Sequence, residues 1–259
     1  MIVDALAFLG VHPLRGSGTE SPSELERELQ RAGIGKAYVV GLESLFRRNP
    51  WPANELHARR LASSRILTPL AGVNPLYALD REQLERLLEL GFKGLVLAPL
   101  YHGFSPRSAA AGRLLKWAAD LGAPVILLCA LEDLRGAHRA YRFRYKVGER
   151  ELAGFLERAE RAGARVMLSH AGFNLVEKLA GAVKAAGALV DVASNTVYGP
   201  VYDRVRALVE LFGEDRVVLS TGAPLNYPLV PIFKVLYSSV DWQAKRKVLG
   251  LNALKFYGG

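Results

Sequence analysis

Cysteine occurs once in this chain, at Cys129, and methionine twice. One cysteine excludes an internal disulfide framework and any zinc centre built from clustered thiolates. No apolar run reaches the roughly 20 residues a membrane-spanning helix needs, so no membrane partner is expected. The opening MIVDALAFLGVHP is apolar but has neither a basic leader nor a small-residue cleavage site. It reads as a first strand, not a signal peptide. No G-x-G-x-x-G follows any apolar run, which removes the usual dinucleotide fingerprint. No linker, low-complexity tract or composition break interrupts residues 1–259, so a single domain is expected. These exclusions together point to a cytoplasmic setting.

Half of the residues are hydrophobic, enough for one large core, and the length suits a single α/β barrel of roughly 250 residues. The net charge is +9. Most of it is Arg mixed with Glu, as in SELERELQRAG and ELAGFLERAERAG, the pattern of solvated helix faces with spaced ion pairs. Plentiful Ala, Leu and Arg with little Cys and Met gives a thermophilic cast. One basic stretch differs. LRGAHRAYRFRYKVGER, residues 134–150, interleaves Arg142 and six other basic residues with Tyr141, Phe143 and Tyr145. No nucleic-acid motif accompanies it, so it is read as a lid or a subunit contact rather than as a nucleic-acid surface.

Short apolar runs recur about every 30 residues, the size of a strand–helix unit. They lie at Ile2–Ala7, Ala37–Gly41, Leu67–Ala71, Gly94–Ala98, Pro124–Cys129, Arg165–Ser169, Ala188–Val192 and Arg216–Ser220. Amphipathic segments between them predict helices at Ser23–Ala32, Asp80–Leu90, Ser108–Leu121, Glu149–Ala162, Leu175–Ala186 and Pro200–Phe212, the first opening on Ser23-Glu24-Leu25-Glu26. Eight buried strands alternating with helices predict an α/β fold, a (β/α)8 TIM barrel, with function in the loops that follow the strands.

Those loops supply the candidate residues: His12, Asn74, His102, Cys129, Ser169, His170, Asp191, Asn195, Thr221 and Asn226. The last loop, RVVLSTGAPLNYP, is puzzling. It ends a strand where a barrel does its chemistry, yet offers no acid, base or metal ligand.

Several segments resemble the amidohydrolase superfamily, in particular the amidohydrolase-related branch that includes aminocarboxymuconate-semialdehyde decarboxylase. These are GFKGLVLAPLYHGFSP, GAPVILLCA, RVMLSHAGF, GEDRVVLSTGAP and AKRKVLGLNALKFYG, in that order. The resemblance implies an amidohydrolase-like barrel with a D-x-H-x-H first strand whose two histidines bind a metal, a further histidine on the fifth strand, another on the sixth, and an aspartate on the eighth. In this chain Leu6 and Phe8 stand at the first two histidine positions, Leu128 at the third and Gly222 at the aspartate. The sixth-strand histidine is present as His170, and Asp4 and Asp191 match aspartates of the first and seventh strands.

The resulting expectation is an amidohydrolase-like protein that has lost the family metal site: no metal, no cofactor, and a non-catalytic or ligand-binding role. Two alternatives stay open. One is a metal-independent hydrolase or lactonase acting on a small anionic substrate. The other is a metal-dependent hydrolase with a rearranged site built from His12, His102 and His170. Any catalysis would fall to His170, Asp4 and Asp191, with His102, Cys129, Asn195, Asn226 and Arg142 holding a small-molecule ligand. A homo-oligomer is expected.

Overall fold

The computed structural model describes residues 1–13, 16–77, 80–131, 147–193 and 203–258. The strands are β1 (Ile2–Val11), β2 (Gly18–Thr19), β3 (Ile34–Gly41), β4 (Leu67–Val73), β5 (Leu95–Leu97), β6 (Val125–Leu128), β7 (Val166–Ser169), β8 (Leu189–Asp191) and β9 (Val217–Val218). They run in the order β2-β1-β3-β4-β5-β6-β7-β8-β9. β2 is a short antiparallel hairpin partner of β1, and the other eight pair in parallel. All eight apolar runs of the sequence therefore carry a strand.

The sheet closes on itself. Ala5 N donates to Leu219 O at 2.8 Å, Gly222 N to Leu6 O at 3.0 Å, and Phe8 N to Ala223 O at 2.8 Å. These bonds explain why β9 is shorter than its apolar run: past Val218 the backbone turns its hydrogen bonds towards β1. The product is an amidohydrolase-like (β/α)8 barrel.

Two cores follow from the period-2 alternation of strand side chains. Leu6, Phe8, Val40, Leu70, Val96, Ile126, Leu128, Met167 and Val218 fill the interior. Their strand neighbours, among them Ala7, Val39, Ala71, Leu97, Leu127, Cys129 and Leu168, pack outward against helix residues such as Leu29, Leu84, Leu114, Phe155 and Leu208. Tyr257 of the C-terminal helix Asn252–Tyr257 stacks on Tyr38 at 3.7 Å and donates to Ala5 O at 2.7 Å, adding an aromatic layer to the interior.

The helices keep to the expected places with some shifts. The first spans Pro22–Arg31, and its cap is Ser21, whose hydroxyl accepts from Glu24 N, so Ser23 lies inside the first turn. Proline at the first helical position suits this start, because its fixed φ is already helical and no N–H is wasted. Asp80 and Ser108 cap Arg81–Glu89 and Ala109–Asp120 in the same way. The segment expected as Leu175–Ala186 is two short helices, Phe173–Lys178 and Ala180–Ala185, and the one expected to start at Pro200 is described as Arg204–Phe212. Helices Trp51–Leu61 and Leu229–Tyr237 have no counterpart among the expected segments. No helix among the described residues is long and apolar enough to cross a membrane.

Candidate functional site

The site begins on β1. Between Asp4 and Ala7 the pairing with β3 slips, since Asp4 sits opposite Ala37 and Ala7 opposite Val39, which leaves one extra residue in β1. The slip lets Asp4 accept from the backbone of Leu6, two residues on, at 3.1 Å. Two more donors come from beyond β9: Thr221 N at 2.9 Å and the Thr221 hydroxyl. The Thr221 oxygen in turn accepts from Ala223 N at 3.0 Å. The acid-free loop Ser220–Pro224 is thus held in shape by a carboxylate from β1. Asp4 is fully buried. Loss of water around the charge outweighs its three donors and raises its carboxyl to about 7.

A second carboxylate lies on β8. Asp191 Oδ2 accepts the Ser169 hydroxyl at 2.7 Å, and the Ser169 oxygen lies 2.8 Å from His170 Nδ1. His170 N also donates to Asp191 Oδ1, at 3.2 Å. Such a turn requires unusual backbone: His170 has φ 55°, in the left-handed region that few non-glycine residues enter. Ser220 lies close enough to help hold the Asp191 charge, though its hydroxyl forms no well-aligned hydrogen bond among the described residues. Burial raises the Asp191 carboxyl, opposed first by His170 and then by Ser169. Burial lowers the His170 imidazole, opposed by Asp191, so the ring is neutral near pH 7.

Hydrogen-bond direction fixes the tautomer. While Asp191 is ionised, the one Ser169 hydroxyl proton goes to it, so the Ser169 oxygen must accept from His170 Nδ1–H. Nε2 then carries a lone pair. This nitrogen is buried and has no hydrogen-bond partner among the described residues, and the side chain is only 10% exposed. It faces Gly222. A Cβ on Gly222 would lie 3.2 Å from His170 Nε2 and 2.6 Å from Asn226 Nδ2, and Gly222 has φ 67°. The Asn226 amide therefore occupies the space that a side chain at 222 would take.

Of the sequence candidates, the fold brings together Asp4, His170, Asp191 and Asn226. Ser169 and Thr221, candidates read in the sequence only as loop residues, join them as hydroxyls that flank the acids. His102 lies elsewhere: its Nε2 donates to Ser44 O at 3.0 Å, and burial lowers its imidazole. His12 is buried edge-on against Phe46, with ring centroids 5.1 Å apart. Cys129 points into the outer core, with its thiol on Leu127 O at 3.7 Å, and burial pushes that thiol far up. Strand parity is the reason, since Leu128 next to it takes the inward position. Arg142 and Asn195 lie outside the described residues, as does most of 134–150.

Solved structures share this architecture. A manganese-bound 5-carboxyvanillate decarboxylase from Novosphingobium aromaticivorans superposes with a TM-score of 0.78 at 14% identity, covering 100% of this chain and 97% of its own. For a 2,6-dihydroxybenzoate decarboxylase from Rhizobium the values are 0.74, 14%, 99% and 98%. A Pseudomonas putida protein assigned as a 2-pyrone-4,6-dicarboxylic acid hydrolase gives 0.72, 12%, 99% and 97%. No curated protein sequence matches. At these identities the likeness speaks for the fold. The family comes from the sequence itself: the amidohydrolase model matches residues 20–259, nearly the whole barrel, and the chain belongs to the amidohydrolase family.

Proposed function

We propose that this chain is a metal-free amidohydrolase relative that binds a small molecule beside His170. The observation that carries the reading is the packing of Leu6, Phe8 and Leu128. All three are buried in the interior cluster, at the positions where the resemblance puts metal-binding histidines. Hydrocarbon side chains have no lone pair to give an ion. A zinc site needs about three protein ligands, and no three His, Cys, Asp or Glu side chains among the described residues lie close enough to hold a metal. The residues present do not fit the group, and no step is routed through it.

The ligand is read from what the site leaves unpaired. With Asp191 ionised, His170 Nε2 accepts, and it then recognises a donor such as a hydroxyl or an undissociated acid. Phe8 and Leu128 belong to the apolar cluster that fills the barrel interior. A small aromatic or alicyclic hydroxy compound would bring such a donor on an apolar body, which agrees with the 2,6-dihydroxybenzoate named for the Rhizobium neighbour.

Metal analysis of untagged protein, grown and dialysed with zinc and manganese, is the first test. The expected result is far less than one metal per chain, and near-stoichiometric metal would overturn the reading. Calorimetry with a phenol and its methyl ether then tests the ligand class. The phenol should bind more tightly, and the preference should vanish in His170→Ala.

One observation favours a second reading, a metal-free hydrolase. The Asp191–Ser169–His170 chain leaves a base-competent Nε2 in a buried site. That reading requires lactone or ester turnover that is indifferent to chelator and lost in His170→Ala.

A further inference from the structure

We infer that the outer face of helix Leu229–Tyr237 joins two copies of this chain. The inner face is ordinary: Pro231, Ile232 and Val235 are buried. The outer face is not. Leu229, Val230, Phe233 and Tyr237 are 43, 38, 46 and 85% exposed, and Tyr227 just before the helix is 84% exposed. At 3.6 residues per turn the four helical positions fall within about 100° of one another. Phe233 and Tyr237 have ring centroids 6.0 Å apart, so the stripe is continuous. A helix that is apolar on both faces is one that is covered on both. Its counterpart Glu149–Ala162 has Leu152, Phe155, Leu156 and Ala159 inside but Arg161 paired to Glu157 outside.

Area and charge select the occupant. With 150–250 Å² per aromatic side chain, Tyr227, Phe233 and Tyr237 leave roughly 400 Å² uncovered. That is about half of the ~800 Å² per partner of a standard interface, whose core is about two-thirds apolar. The stripe supplies most of such a core. Lys234 is the one charged residue on the helix, and it is half-buried with its ammonium lowered by burial and by Arg204. The face offers an acidic partner little, although the chain carries +9 overall. A stripe of Leu, Val, Phe and Tyr complements itself, and a two-fold axis across the helix sets it against its own copy.

The test is the mass in solution of the untagged full chain by light scattering and sedimentation over micromolar concentrations. The expected result is twice 28.3 kDa. The double variant Phe233→Asp with Tyr237→Lys should raise the dimer dissociation constant about 30-fold or more, and Tyr237→Ser alone should raise it less. Both change exposed positions, and an unaltered melting profile of the dissociated chain shows that the fold is kept. A wild-type monomer at all concentrations overturns the inference, and so does a dimer whose affinity ignores both variants. A wild-type monomer that binds phospholipid vesicles through Tyr237 would assign the face to lipid and also overturn it. Metal content and His170 binding are separate readouts, so failure here leaves the proposed ligand site standing.

Discussion

The two halves of the barrel interior are built on opposite rules. On the side of β1 and β6, Leu6, Phe8 and Leu128 pack as hydrocarbon with nothing to satisfy. Where β7, β8 and the 219–223 segment meet the start of β1, Asp4, Ser169, Asp191 and Thr221 are also buried, His170 is nearly so, and nearly every polar atom is tied to another. The apolar half is stable because it lacks polar groups. The polar half is stable because its groups satisfy one another. Neither half tolerates the residues of the other, and one of the exceptions in the polar half, His170 Nε2, is where the proposed ligand would gain most.

The comparison is broken most severely by moving polar groups into the apolar half. Leu6→His with Phe8→His would bury two imidazoles without partners. At about 1–3 kcal/mol for each unsatisfied group, plus lost packing, the pair should cost roughly 4 kcal/mol or more. Denaturant unfolding at pH 8 measures this. Added zinc should restore only part of the loss, because Leu128 and Gly222 still leave two of the ligand positions implied by the resemblance without a donor. Strong rescue by zinc would mean that the apolar half is a metal site needing only two substitutions.

The reverse exchange comes next. Asp4→Leu strands Leu6 N, Thr221 N and the Thr221 hydroxyl, and should cost about 3 kcal/mol. Asp4→Asn keeps an oxygen for both amides and should cost less than half as much. The two also differ in pH dependence. The folded-state carboxyl, at about 7, lies above its ordinary value of 3.8. The folded chain therefore holds that proton more tightly. Its contribution is complete below about pH 3.8 and is lost as pH rises to about 7. Asp4→Asn has no such proton to lose, so its stability relative to wild type should improve steadily from pH 4 to 7 and then level off. A difference that stays flat over this range would mean that Asp4 ionises freely in the fold.

A smaller effect tests the boundary between the halves. Gly222→Ala places a methyl 2.6 Å from Asn226 Nδ2 at φ 67°. Clash and left-handed backbone together should cost about 1–3 kcal/mol. Adding Asn226→Ala should return the part due to the clash, because the amide is the nearest obstacle. If the double variant is no better than the single one, the backbone angle alone requires glycine here.

Much of this was legible in the sequence, for physical reasons that differ between fold and site. All eight parallel strands announce themselves because buried strands read as continuous apolar runs stopped by polar loops. Helix Trp51–Leu61 does not, because its buried face is partly polar. Asn54 pairs with both the N–H and the C=O of Gly72, and His57 Nε2 donates to Val39 O at 2.8 Å, so no apolar period marks the segment. Leu229–Tyr237 hides for the opposite reason, being apolar on both faces. Within the site, Asp4, His170 and Asp191 came from the family resemblance. Cys129 could have been placed correctly by strand parity alone, given Leu128 inside. Ser169 could not have been, because its bridging role depends on the φ of 55° at His170, which no local pattern specifies.

Ser169 is also where the smallest and sharpest effect lies. Ser169→Ala removes one hydroxyl that gives a proton to Asp191 and takes one from His170 Nδ1. Its cost in stability should be modest, about 1–2 kcal/mol, and need not exceed that of many buried hydroxyls. The informative readout is the imidazole. With Ser169 present and Asp191 ionised, Nδ1 holds the proton and Nε2 the lone pair. Without it, Nδ1 stands 3.8 Å from Asp191 Oδ2, too far for a good hydrogen bond, and the tautomer loses its anchor. Nitrogen NMR of the His170 ring at neutral pH should show Nδ1–H in the wild type and a mixture of tautomers in Ser169→Ala. Affinity for a phenol should fall with the Nε2 lone-pair population. Ser169→Thr keeps the hydroxyl and should retain both the tautomer and the affinity, which a purely structural role for Ser169 would not require. A wild-type ring that already carries its proton on Nε2 would reverse the polarity of the site, and its ligand would then have to be an acceptor.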